Sequence, residues 1–334
     1  MICLTNIYEE IIVDFSKEEY KDTNVLYRKL TLVGGIVLLF SVYRGSEIAE
    51  ISFSLPENSL DSIKKLPKWK GMEEKIISSI EPNTKDNMPF LSFIQSKDYD
   101  KKIYFTVLQD LANNLNKVDI LKVPTIAKEV LEKWKVFFRF EENYVLSDNV
   151  QQGLYGELYI LENILSRYGD KAIDCWTGCN AETQDFYFGR DALEVKSSSS
   201  KSNNRIKISN EYQLDDSKIM GNLYLMYLKM NKSEIMGERL PDIVKRISEK
   251  LSDLKKKCFY DKLLKVGYVH EIPELYKVYF SIQDESCYKV TNQFPKITRK
   301  NIPKEISSVE YVISLEPCER FLITIEDYYK EVNL

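Results

Sequence analysis

The segment from Asp185 to Lys196 constrains this chain more than any other, because it brings two carboxylates to one small space. It reads Asp185-Phe186-Tyr187-Phe188, then Gly189-Arg190, then Asp191-Ala192-Leu193-Glu194-Val195-Lys196. Two short apolar runs separated by two residues, the first a glycine, form the pattern of a tight β-hairpin. With Gly189-Arg190 as the turn, Phe188 pairs with Asp191, and Asp185 falls opposite Glu194. Side chains opposed on one sheet face stand ~5 Å apart at Cβ. Two carboxylates that close repel unless a cation sits between them. Lys196, two residues past Glu194, lies on the same face, while Val195 points the other way into the core. The hairpin therefore brings two carboxylates and one ammonium together at a strand end.

Such a set fits phosphodiester chemistry. Oxygen ligands from Asp185 and Glu194, joined by the Val195 carbonyl, suit Mg²⁺, with Mn²⁺ able to substitute. The metal would polarise a phosphate and lower the pKa of a bound water. Lys196 would orient that water or help deprotonate it, and would offset charge in the transition state. The competing reading of the same three residues is a surface hairpin laced by a salt bridge.

A helix precedes the hairpin. Ser147 or Asp148 caps it, Gly169 stops it after Tyr168, and Val150, Leu154, Leu158, Leu161 and Leu165 form its apolar stripe. Glu157 interrupts that stripe. A carboxylate there is either buried beside a Lys or Arg or turned into a functional cleft, where it would join Asp185, Glu194 and Lys196 as a catalytic residue and reach the metal. After the hairpin comes a polar loop, Ser197 to Asn204, and then an alternating strand from Arg205 to Ser209. Lys201, Arg205 and Lys207 are placed for contacts to nucleic-acid phosphates, or are ordinary solvated charge.

The remaining pattern is α/β with mixed α+β character. Residues 1 to about 60 alternate in strand-like runs, with Gly34-Gly35 as a hairpin turn. Residues 101 to 115 begin strand-like and turn helical. Pro124 to Phe137 reads as a helix through Ile126, Val130, Leu131 and Trp134. A polar junction from Glu141 to Asp148 divides an N-terminal β-rich or α+β domain of unknown role, 1–140, from a second domain, 147–334. A helix is expected near Asn210, carrying Gln213-Leu214. The apolar run Gly221 to Met230 reads as a buried strand, and Pro241 to Lys257 as one amphipathic helix using Ile243, Ile247, Leu251 and Leu254. Val278 to Ile282 and Val309 to Leu315 alternate as strands.

Composition narrows the options further. The 334 residues are 44% hydrophobic, enough for a substantial core. The net charge of −4 argues against a surface that clamps nucleic acid everywhere, so any such contact must come from a local patch or a partner. The single histidine, His270, rules out HNH centres and zinc sites needing two His. It pushes catalysis toward carboxylates, lysines and hard metals. The six cysteines contain no CxxC pair and read as thiols of a reducing, cytoplasmic setting, with Cys175 and Cys179 poor candidates for a metal site. The N-terminus has no basic leader region, and Leu30 to Val42, the longest apolar stretch, falls short of the ~20 residues that span a bilayer. No membrane association is expected.

With these residues in view, the chain resembles the PD-(D/E)XK, or restriction-endonuclease-like, superfamily. It is most similar to a bacterial family described as PD-(D/E)XK motif proteins. The resemblance rests on Gly153-Leu154-Tyr155-Gly156-Glu157-Leu158, Trp176-Thr177-Gly178, Asp185-Phe186, Leu193-Glu194-Val195-Lys196 and Gln213-Leu214. Phe294-Pro295-Lys296-Ile297 and Tyr311-Val312-Ile313-Ser314-Leu315 extend it. One departure is Gln184, where the pattern has Pro before the aspartate. The resemblance implies a central mixed sheet flanked by helices, a metal-dependent nuclease acting on DNA, and a role in bacterial restriction or phage defence. It makes Gln213 a site-adjacent nucleic-acid contact, against the alternative of a helix-surface Gln. A homodimer is compatible with it, since many such nucleases pair two sites. A second function from another class is a DNA-binding or assembly subunit that works with other defence-system proteins and has little activity alone.

Overall fold

The structure is a computed structural model, and it describes residues 2–56, 66–80, 87–138, 145–180, 182–199, 204–270 and 272–332. Lys201 lies outside the described residues. The chain divides into two compact units, 1–141 and 142–334.

The first unit opens with a helix, α1 (Leu4–Asp14). The strand-like reading of this stretch fails because Leu4, Tyr8 and Ile11 recur at three- and four-residue steps, and all three are buried. Five antiparallel strands follow: β1 (Val25–Thr31), β2 (Val37–Tyr43), β3 (Ile48–Ser54), β4 (Met72–Ile80) and β5 (Asn87–Gln95). Their order in the sheet is β1-β2-β3-β5-β4. Gly35, at φ +84°, makes the turn between β1 and β2. Helices α2 (Lys101–Leu115) and α3 (Val123–Phe138) complete the unit. Residues 101 to 115 are helical throughout, started by the Asp100 carboxylate accepting the Lys102 amide at 2.7 Å.

The second unit is built on a mixed sheet. Helix α4 (Asp148–Tyr168) begins after Ser147 and ends at Gly169, whose φ of +66° only glycine takes readily. Leu154, Leu158, Leu161 and Leu165 are buried along one side. Each such leucine stabilises the fold by roughly 1.5–3 kcal/mol. Val150 does not join this stripe: it lies in the first turn, half exposed. A short helix, α5 (Ala172–Cys175), leads into β6 (Phe186–Phe188) and β7 (Asp191–Ser199). Strands β9 (Leu223–Ser233), β10 (Glu238–Arg239), β11 (Tyr279–Lys289) and β13 (Leu322–Ile323) fill out the sheet, in the order β10-β11-β9-β7-β6 with β13 on β11. Among the described residues of this sheet, only β7 and β9 run parallel. Their side chains are buried on both faces, as strands covered by layers on each side must be. Strand β8 (Arg205–Ile208) pairs with β12 (Tyr311–Ser314) in a separate two-stranded sheet.

Helix α6 (Leu240–Glu249) is followed by α7 (Asp253–Lys265), and α8 (Ile325–Glu331) is the last. The single helix expected from Pro241 to Lys257 is therefore two. Ser252 starts the second, and its backbone N–H and hydroxyl both bond to Asp170. The break leaves Leu254 on the surface. The helix expected near Asn210 is a series of turns instead, because the Asn210 and Gln213 side chains accept backbone N–H groups that a helix would claim. All six cysteines are free; Cys179, Cys287 and Cys318 are buried, whereas Cys3 is exposed. The architecture is thus a mixed α/β fold, a central mixed sheet flanked by helices, with a separate N-terminal unit on an antiparallel sheet. Among the described residues, no helix is long and apolar enough to cross a membrane.

Candidate functional site

The β6–β7 hairpin forms with the register the sequence predicts: Phe188 opposite Asp191, Tyr187 opposite Ala192 and Phe186 opposite Leu193. Gly189 makes the turn at φ +59°. The ladder stops there, so Asp185 sits just beyond the end of an edge strand. Its side chain turns inward, and Oδ2 accepts the Val195 backbone N–H at 2.7 Å. Sheet alternation puts Glu194 and Lys196 on one face and Val195 on the other. Glu194 is 1% exposed and Lys196 retains 16% of its side-chain surface, so solvent reaches the pair from the lysine end.

Helix α4 packs on the opposite face, where Gly156 lets it approach Ser197, Leu228 and Met230 closely. The next residue on α4, Glu157, reaches Asp185 past the end of β6. Glu157 Oε2 and Asp185 Oδ1 both face Gly178: a Cβ built on that glycine would lie 2.7 Å from the first and 3.0 Å from the second. No other residue leaves room for both carboxylates. The partner of Glu157 is neither Lys nor Arg but Trp176, whose Nε1–H donates to Oε2 at 2.8 Å.

Trp176-Thr177-Gly178 is thus a bracket for the two acids. The Thr177 and Gly178 amides donate to the Asp185 carbonyl at 2.8 and 3.0 Å, and the Thr177 hydroxyl donates to the carbonyls of Gln184 and Asp185. Lys262 of α7 anchors the bracket from behind. Its buried ammonium donates to the carbonyls of Ile173 and Trp176 at 2.6 and 2.5 Å. Trp176, Gly178 and Lys262 are absent from the site that sequence spacing identifies. The Trp-Thr-Gly run was the only signal for the first two, and nothing local marks Lys262.

Three carboxyl groups and one ammonium share this space. Burial, and then the Asp185 charge, push Glu157 well above the usual carboxylate range, with the Trp176 N–H opposing. Burial raises Asp185 to about 6 against the pull of the Val195 N–H and Lys196. Burial and Asp185 raise Glu194 to about 8, with Lys196 opposing. Burial alone would lower the Lys196 ammonium; the adjacent Glu194 carboxylate reverses this and raises it. Lys196 Nζ stands 2.7 Å from Glu194 Oε1, a close charge contact without the angle of a directed hydrogen bond. Glu194 Oε2 is buried with no donor among the described residues. A buried carboxylate oxygen left so is costly unless a cation or proton meets it.

Among the described residues, no group of three or more His, Cys, Asp or Glu side chains is gathered to hold a metal. A hard cation here would depend on Asp185, Glu194, a backbone carbonyl such as that of Val195, and water, the oxygen-rich set that Mg²⁺ accepts. The unmet Glu194 Oε2, with the Asp185 carboxylate held nearby by the Val195 N–H, fits that donor set.

The other expected contacts are placed as follows. Arg205 and Lys207 alternate with buried Ile206 and Ile208 and point to solvent, and Lys207 pairs with Glu310 at 2.6 Å. Gln213 is not on a helix. Its side-chain oxygen accepts the Ser209 amide at 2.8 Å, so it shapes the loop after β8. Gln184, the departure before Asp185, is buried. Its amide donates to the carbonyls of Tyr212 and Gln213, and its oxygen accepts the Tyr187 hydroxyl at 2.5 Å.

No curated protein and no solved structure matches the chain. One family model does, the one described as "Putative PD-(D/E)XK family member, (DUF4420)", and it spans residues 26–316. It covers the bracket, the hairpin and β12, and so the chain belongs to the family that this model describes.

Proposed function

We propose that this chain is a metal-dependent nuclease that hydrolyses DNA phosphodiester bonds, cutting internally, with Mg²⁺ as its cofactor and Mn²⁺ as a substitute. One observation carries the reading: Asp185, Glu194 and Lys196 converge at a strand end with Glu157 beside them, and one Glu194 oxygen has no protein donor. Family membership supplies the link to the nuclease superfamily.

A bound Mg²⁺ would supply Lewis-acid polarisation of the phosphate and a more acidic water. The protein's own groups divide the remaining work. Asp185 is held by the Val195 N–H so that Oδ1 stays available. Lys196 offsets the negative charge that grows on the phosphoryl oxygens. Glu157, biased toward its neutral form by burial and by Asp185, can hold a proton at Oε1 while Trp176 fixes Oε2. The setting we propose is bacterial restriction or phage defence, with DNA as substrate and a second copy or other defence-system proteins as partners.

The test is cleavage of supercoiled plasmid in Mg²⁺ or Mn²⁺ by the wild type, Asp185→Ala and Lys196→Ala. The expected result is nicking by the wild type and a loss of at least about 10²-fold in both variants. Equal nicking by all three would remove the site from the reaction. DNA retention with no cleavage by the wild type would favour a binding or assembly subunit instead.

A further inference from the structure

We infer that a cavity beside the carboxylates is a nucleotide subsite, which receives one unstacked nucleotide of the substrate strand next to the phosphate being cut. The inference rests on the nuclease reading above for its position in the reaction, but binding at the cavity can be measured without cleavage.

The cavity has a volume of about 610 Å³ and its lining includes Gln184, Tyr187, Tyr212, Lys218, Lys300 and Lys304. Pockets of ~300–1,000 Å³ enclose ligands of nucleotide size. Its position follows from two lining residues beside the site, Gln184 just before Asp185 and Tyr187 of β6. Gln184 directly precedes Asp185, and Tyr187, opposite Ala192, lies on the same sheet face as Glu194. A nucleotide here is therefore a neighbour of a phosphate held at Asp185 and Glu194.

Charge and shape select the ligand class. The whole chain carries −4, yet this cavity gathers four cationic side chains against one carboxylate, Asp215. Among the described residues, Lys218, Lys300 and Lys304 form no ion pair. Arg299 is spent on the wall: it donates to the carbonyls of Ile306 and Lys304 and stands 3.7 Å from Glu211. The three lysines are thus the local basic patch that an acidic nucleic-acid-binding chain requires. The two tyrosines add flat apolar surface. Gln184 holds the Tyr187 hydroxyl and the Tyr212 carbonyl, leaving the half-exposed Tyr212 ring available to stack. Stacking on an aromatic ring is worth ~1–3 kcal/mol per base and tolerates any base. A base within a duplex stack cannot enter a concave site, so the occupant is an unpaired or extruded nucleotide.

The experiment uses the full chain, EDTA to prevent cleavage, and a fluorescein-labelled single-stranded oligodeoxynucleotide read by anisotropy. Lys300→Glu/Lys304→Glu and Tyr212→Ala change exposed side chains and leave Asp185, Glu194 and Lys196 intact. We expect the double reversal to weaken binding about tenfold or more, with a shallower salt dependence, and Tyr212→Ala to weaken it about fivefold or more. An oligonucleotide carrying 5-iodouracil should crosslink to Tyr212 or Tyr187. Affinity of the double variant within twofold of wild type, crosslinks mapping away from both tyrosines, or no binding by the wild type would each overturn the inference. Intact binding beside absent cleavage in Mg²⁺ would count against the nuclease reading and leave the subsite standing.

Discussion

Asp185 Oδ2 accepts the backbone N–H of Val195 at 2.7 Å, which ties the first acid of the site to the residue between the second acid and the lysine. The bond spans the hairpin just beyond its last ladder pair, Phe186 with Leu193. It fixes the spacing of Asp185, Glu194 and Lys196 without using a side chain of the other two. It also leaves Oδ1 facing Glu157 across Gly178.

Gly178 should tolerate no side chain. A Cβ there meets Glu157 Oε2 at 2.7 Å and Asp185 Oδ1 at 3.0 Å, and both acids must shift. We predict that Gly178→Ala lowers cleavage by about 10²-fold, since displacements near 1 Å cost that much in a preorganised site. Stability should fall by only about 1–3 kcal/mol. Parallel measurement of plasmid nicking and urea melts checks this, and a variant with full activity would show that the two carboxylates need not meet.

Trp176→Phe removes the indole donor but keeps a ring packed toward Phe259. The N–H favours the charged form of Glu157, so its loss moves that acid further upward. Because Glu157 holds its proton in the proposed reaction, the alkaline limb of the cleavage rate against pH shifts to higher pH in the variant. An unmoved profile would leave Glu157 a structural residue. The lost buried hydrogen bond should cost about 1–2 kcal/mol of stability.

Glu194 gives the fold a specific pH dependence. Burial, and then the Asp185 charge, push its carboxyl up to about 8, against 4.5 for an ordinary glutamate. The fold therefore favours the neutral form. The associated stability is fully present below the ordinary value and is lost as pH rises through about 8. Glu194→Gln cannot ionise and should escape this loss. We expect the variant to be more stable than wild type by roughly 1–2 kcal/mol at pH 9 in EDTA, the figure reduced by the pairing that Lys196 gives up. Near pH 5 the two should agree. Denaturant melts at both pH values check this, and a variant less stable than wild type at pH 9 would contradict it. Added Mg²⁺ should raise the wild-type melt and leave the variant's unchanged.

The hairpin and its register were readable in the sequence because alternation and a two-residue glycine turn are local rules, obeyed here through three ladder pairs. The helix bearing Glu157 was readable from its stripe and its terminal glycine. Trp176 as a donor to Glu157, Lys262 beneath Trp176, and the cavity between residues 184–187, 212–218 and 299–304 were not, because tertiary packing alone brings these segments together. The break between α6 and α7 had a local signal, the Ser252-Asp253 pair at the start of α7, but continuous apolar periodicity across Leu251 and Leu254 masked it.

The central claim is that Asp185 and Glu194 share a divalent cation. Crystals soaked in Mn²⁺, with anomalous data collected at the manganese edge, test it directly. The account predicts a peak within ~2.0–2.4 Å of a carboxylate oxygen from each residue, with Lys196 drawn away from Glu194. A site without manganese at saturating concentration, with Lys196 still against Glu194, would contradict it.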